Sequence, residues 1–86
     1  MLDVELDNQP RRFLKRAPEF LAGRIAEKLK ALREQPFPTG AERLAGSTLW
    51  RVRVGDYRIL YYVKYAQQVV FISKIDHRKR VYDRAT

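Results

Sequence analysis

The chain has no cysteine and only one histidine among its 86 residues. The first absence excludes disulfides and thiolate metal sites as supports for the core, and the second excludes a two-histidine zinc site. No apolar run approaches the ~20 residues that span a bilayer. The N-terminus lacks a signal-peptide pattern, so a cytoplasmic protein with no membrane partner is expected. No glycine-rich phosphate loop precedes a helix, and Asp56, Asp76 and Asp83 are too scattered for paired-carboxylate hydrolysis. Neither a metal nor a small-molecule cofactor is expected. The length leaves room for one small domain, residues 1–86.

What is abundant is positive charge. The formal net charge is +8, unevenly spread: residues 1–43 carry nine basic and seven acidic side chains, residues 44–86 nine and three. The excess falls on a stretch that reads as sheet, not on a tail. A basic folded surface points to nucleic acid or an acidic protein partner; a merely solvated surface is the plainer reading.

Residues 49–64, LWRVRVGDYRILYYVK, read as a β-hairpin. Trp50, Val52 and Val54 alternate with Arg51 and Arg53, the period of a strand with one buried face. Gly55-Asp56 is a two-residue turn, with glycine supplying positive φ, and residues 57–63 return as a strand rich in aromatic and β-branched side chains. Such a turn sets the register: Val54 faces Tyr57, Arg53 faces Arg58, Val52 faces Ile59 and Arg51 faces Leu60. Three arginines then share a face with Tyr62, and two stand directly opposite each other, which destabilises a sheet. The expected counter-charge is a bound polyanion. Trp50, Tyr57 and Tyr61 point the other way, into the core.

Around this hairpin the pattern is regular. Residues 1–6 alternate as a short strand. Asp7 or Asn8 caps a helix over 10–17, with Phe13, Leu14 and Ala17 inward. Pro18 breaks it and opens a longer helix, 19–33, where Leu21, Ile25, Leu29 and Leu32 form an apolar stripe widened by Phe20, Ala22 and Ala26. Residues 35–40 end that helix with two prolines and a glycine, and 41–48 connect to the hairpin. A looser turn at 65–68 leads to a central strand, 69–75, which is apolar except at Ser73 and Lys74. The fold class expected is α+β with the order β-α-α-β-β-β: a mainly antiparallel four-stranded sheet, two N-terminal helices on one face, and the other face available to the arginines.

Without a metal or a cysteine nucleophile, this residue set suits one reaction: cleavage of RNA by attack of its own 2′-hydroxyl. That reaction needs positioning, stabilisation of a charged phosphorane-like transition state and proton transfer. Guanidinium forks bind phosphate oxygens and keep their charge. Histidine titrates near neutrality, and tyrosines stack on splayed bases.

The motifs Leu44-Ala45-Gly46, then LWRVRVGDYRILYYV, then a valine-rich strand, then HRKRVY resemble the RelE branch of the RelE/ParE toxin superfamily over nearly the whole chain. The resemblance implies a toxin of a type II toxin–antitoxin pair, an mRNA interferase that inhibits translation by cutting mRNA in the ribosomal A site without a metal. It implies two partners, a cognate antitoxin and the ribosome with its mRNA. Catalytic function would be carried to Arg51, Arg53, Arg58, Arg78 and Tyr82. Tyr62, Lys74, Lys79 and Arg80 are the substrate-binding candidates. Arg11, Arg12, Lys15 and Arg16 are either ribosomal-RNA contacts or an ordinary solvated helix face.

The sequence departs from the family pattern at two places. Relatives often carry lysines where Arg51 and Arg53 stand, and arginine is a poor general base, which makes His77 the candidate for proton transfer. Asp76 stands where relatives often have glycine; it either orients His77 and raises its pKa, or offsets the basic tail. Two other readings stand beside the endoribonuclease: a ParE-like inhibitor of DNA gyrase, and a basic RNA-binding module without catalysis.

Overall fold

Two helices lie against one face of a five-stranded sheet in a computed structural model that describes residues 1–77. Arg78, Lys79, Arg80 and Tyr82 lie outside the described residues. The elements are β1 (Asp3–Leu6), α1 (Asn8–Arg16), α2 (Glu19–Glu34), β2 (Glu42–Arg43), β3 (Trp50–Val54), β4 (Tyr57–Lys64) and β5 (Val69–His77). The sheet order is β1-β5-β4-β3-β2, with β1 parallel to β5 and every other pairing antiparallel. The strand beyond the four expected is β2, two residues of the connector paired with Arg51 and Trp50. A stretch so short and polar carries no period-2 signal.

Local chemistry explains the helix ends. The Asp7 side chain accepts the Asn8 N–H at 2.8 Å, and Pro10 occupies the first turn of α1, where a missing N–H costs nothing. Gln9 then docks α1 on the sheet: its Nε2 donates to the Ile75 carbonyl at 2.7 Å and its Oε1 accepts the Ile75 N–H at 2.9 Å. β1 stops pairing at Ile72, so the Gln9 amide serves as the strand partner that β5 would otherwise lack there. In α2 the stripe of Leu21, Ile25, Leu29 and Leu32 is buried as expected. Phe20 is 71% exposed and Ala26 is exposed too. Each residue advances about 100° around a helix, which puts both well off the line of the stripe.

The hairpin has the expected register, Val54 opposite Tyr57 through Trp50 opposite Tyr61, and Gly55 has φ +60°. β4 and β5 pair throughout, with one irregularity beside Leu60 and Tyr61 where Ser73 is the extra residue on β5. The core lies between helices and sheet: the α2 stripe packs on Val52, Val54, Ile59, Tyr61, Val70, Ile72 and Ile75. Tyr61 is fully buried, and its hydroxyl donates to the Pro36 carbonyl at 2.6 Å. Burial pushes its pKa up to about 12, so it stays a neutral donor. This bond ties the proline-rich turn to the sheet, and Phe37 completes the tie by packing on Trp50 with ring centroids 4.5 Å apart. Among the described residues no helix is long and apolar enough to cross a membrane.

Candidate nucleic-acid interface

Strand alternation sends every second residue of β3, β4 and β5 away from the helices. Near the Gly55 turn this produces two adjacent cross-strand rows. One runs Arg53, Arg58, Asp76, and the next runs Arg51, Leu60, Lys74. Arg51, Arg53 and Arg58, expected on one face of the hairpin, are joined there by Lys74 of β5, so that three consecutive strands contribute to one patch. Tyr62 is on the same face, farther along β4, where its ring packs on Phe71 at 5.2 Å between centroids. Lys64 lies 4.4 Å above the Phe71 ring and pairs with Glu5 at 3.3 Å.

The counter-charge expected from a bound polyanion is in part supplied by the chain. Asp76 stands directly across from Arg58 on β5, and both are only 5% exposed. One oxygen of Asp76 accepts the His77 backbone N–H at 2.8 Å, which fixes the carboxylate on this row. Arg51 pairs with Glu42 of β2 at 3.1 Å. Arg53 is exposed and makes no hydrogen bond or ion pair among the described residues. Among the described residues the patch holds four cations against two carboxylates, with the surplus at Arg53 and Lys74.

His77 is not brought to the arginine rows. It follows Asp76, so its side chain emerges on the helix side, opposite Tyr57 and edge-on to it at 5.4 Å; Tyr57 in turn meets Phe13 of α1 at 5.6 Å. A general base must come within hydrogen-bond reach of the proton it takes, ~2.6–3.2 Å. The imidazole stands on the helix side of the sheet, apart from the arginine rows. The Asp76 and His77 side chains leave β5 on opposite faces, and the contact between them given by the structure is the His77 backbone N–H on the Asp76 carboxylate. Sequence reasoning missed Glu42 as the partner of Arg51, because the strand carrying it is so short. It also missed Asp76 as the neighbour of Arg58, although the alternation and turn that align β3 with β4 extend to β5. Among the described residues no group of three His, Cys, Asp or Glu side chains comes together to hold a metal.

Comparison with known proteins adds the following. The family model for the ParE toxin of type II toxin–antitoxin systems (parDE) matches residues 4–82. The curated protein "Putative toxin RelE1" of Methanocaldococcus jannaschii is 30% identical over 84 residues, which is 93% of this chain and 93% of that protein. Among solved structures, the archaeal RelE–RelB complex from Pyrococcus horikoshii matches with a TM-score of 0.79 at 29% identity, covering 92% of this chain and 97% of that one. The toxin–antitoxin complex RelBE2 from Mycobacterium tuberculosis matches with a TM-score of 0.75 at 25% identity, covering 90% and 98%.

Proposed function

The chain belongs to the RelE/ParE superfamily of toxins of type II toxin–antitoxin systems, and we propose that within it this protein is a ribosome-dependent endoribonuclease that cuts mRNA in the A site. The observation that carries the reading is the patch of Arg51, Arg53, Arg58 and Lys74 on two neighbouring rows of the face turned away from the helices. Attack of a 2′-hydroxyl on the adjacent phosphate places additional negative charge on the phosphoryl oxygens as the bond to the 5′-oxygen breaks. Guanidinium groups already held in place stabilise that charge without reorganising, and one such donor is typically worth ~10²–10³ in rate. Arg53 contacts the phosphate, while Glu42 holds Arg51 in its orientation and Asp76 stands across the strands from Arg58. Tyr62 with Phe71 offers a stacking surface for a base of the same strand. On the resemblance alone, Arg78 and Tyr82 join the catalytic set, and Lys79 and Arg80 the substrate-binding one.

The ribosome supplies alignment. In-line geometry is worth up to ~7–11 kcal/mol in favourable cases, and a small patch rich in cations does not by itself set the 2′-hydroxyl opposite its leaving group. The protein then acts in the cytoplasm, and a cognate antitoxin is its second partner, as RelB is for RelE in the archaeal complex. Cuts mapped on an mRNA with and without programmed ribosomes test the reading. Cleavage in translated codons, dependent on ribosomes and leaving a cyclic phosphate and a 5′-hydroxyl, is the expected result; a chelator at a level that leaves ribosomes intact does not alter the rate. A second reading, poisoning of DNA gyrase, has the ParE description of the matching family model on its side. Inhibited supercoiling with intact mRNA would select it.

A further inference from the structure

A cleft of about 440 Å³ separates α2 from the tip of the hairpin, lined by Arg24, Glu27, Lys28 and Ala31 on one side and Arg53, Val54 and Gly55 on the other. We propose that Arg24 and Lys28, beside Arg53, form a second RNA site there, one that grips a backbone phosphate next along the strand from the scissile one that Arg53 contacts. The proposal rests on the ribosomal reading only for the source of that phosphate.

Four observations support it. None of the three cations has a hydrogen bond or ion pair among the described residues, although Glu27 lines the same cleft. Arg24 and Lys28 lie one turn apart on α2, where like charges weaken a helix and a carboxylate would strengthen it; the fold gains nothing from this pair. β2 pairs only with Trp50 and Arg51, so no described strand covers β3 from Val52 to Val54 beside the cleft. Finally, the Arg24 guanidinium lies along the turn, with Nη1 3.5 Å from where a Cβ on Gly55 would stand.

Arg53 belongs to both the cleft and the arginine rows. A nucleic-acid strand leaving the arginine rows can therefore pass round the hairpin tip without losing cationic contact. The lining chooses between partner classes. A docked peptide needs apolar anchors in a buried pocket, and among the described residues Ala31 and Val54 are the only apolar side chains lining the cleft; a phosphate backbone needs only the cations.

The test compares the full-length parent with the Arg24→Gln, Lys28→Gln double variant, which keeps good helix formers on α2 and leaves Arg53 in place. Binding to ribosomes and to a short RNA hairpin is measured across a salt series, beside single-turnover cleavage on saturated programmed ribosomes. The expected result is severalfold weaker ribosome binding in the variant, a salt slope smaller by about 1 because one phosphate contact is lost, and an unchanged rate at saturation. Glu27→Gln binds more tightly than the parent. Equal affinity and equal slope for parent and double variant overturn the proposal, as does weaker capture of a poly-glutamate peptide with RNA binding unchanged. If the parent binds no ribosomes, the ribosomal reading fails, and the slope on the RNA hairpin decides the cleft alone by the same criterion.

Discussion

The same five cross-strand pairs build both faces of the β3–β4 hairpin, yet the faces are put together differently. On the helix side, Trp50 with Tyr61, Val52 with Ile59 and Val54 with Tyr57 pack into the core or against it, and the Tyr61 hydroxyl finds its acceptor in Pro36. On the other side, Arg53 faces Arg58 and Arg51 faces Leu60. The helix side satisfies its own groups. The arginine side does so only in part: Asp76 and Glu42 stand beside two arginines and leave Arg53 to solvent. Farther along that face the contrast ends, because Lys64 has both Glu5 and the Phe71 ring. Among the described residues surplus charge is thus a local property of the turn end, where the proposed site lies.

Arg58→Gln breaks this comparison most severely, because it acts on both sides of it. It removes a proposed phosphate donor, so cleavage should fall ~10²–10³-fold. It also leaves buried Asp76 without its cationic neighbour, at a cost of roughly 1–3 kcal/mol read from the urea midpoint. On the helix side, alkaline unfolding of the parent and Tyr61→Phe sharpens the contrast. The Tyr61 pKa is raised to about 12 in the folded state against about 10 when unfolded. Its contribution is therefore complete below pH 10 and is lost as pH rises from there through 12. At about 1.4 kcal/mol per pKa unit, on the order of 2 kcal/mol disappears over that window. Tyr61→Phe should lack this part of the alkaline loss and be less stable at neutral pH by about 1 kcal/mol, the net worth of the hydroxyl's hydrogen bond. At the far end, Lys64→Met should change stability by less than about 1 kcal/mol and leave cleavage at the parental rate.

Much of this architecture was legible in the sequence. Period-2 alternation and a Gly-Asp turn determine the hairpin register completely, because a two-residue turn permits no slip. The α2 stripe was legible for the same reason, a strong period against a polar background. Three features were not. β2 is too short to carry a period. The extra residue at Ser73 leaves no mark in composition, since serine suits a strand edge as well as a bulge. The side of the sheet that His77 occupies depends on where β5 ends: a strand read as ending at Ile75 leaves His77 in a loop, free to turn either way, whereas a strand running to His77 commits it to the helix side. The place of Asp76 opposite Arg58 was hidden by the same two residues. The opposed arginines pointed to function, and of the two Arg53 is the one without a partner among the described residues.

Arg53→Gln tests the central claim, that charge left uncompensated at the turn end serves RNA cleavage and not the fold. Its side chain is exposed and has no described partner, so the urea midpoint should move by no more than the equivalent of ~0.5 kcal/mol. Single-turnover cleavage of mRNA on programmed, saturated ribosomes should nevertheless fall ~10²–10³-fold. A variant as stable as the parent and much slower is the predicted result. A variant that cleaves at the parental rate contradicts the account and moves the site away from the arginine rows.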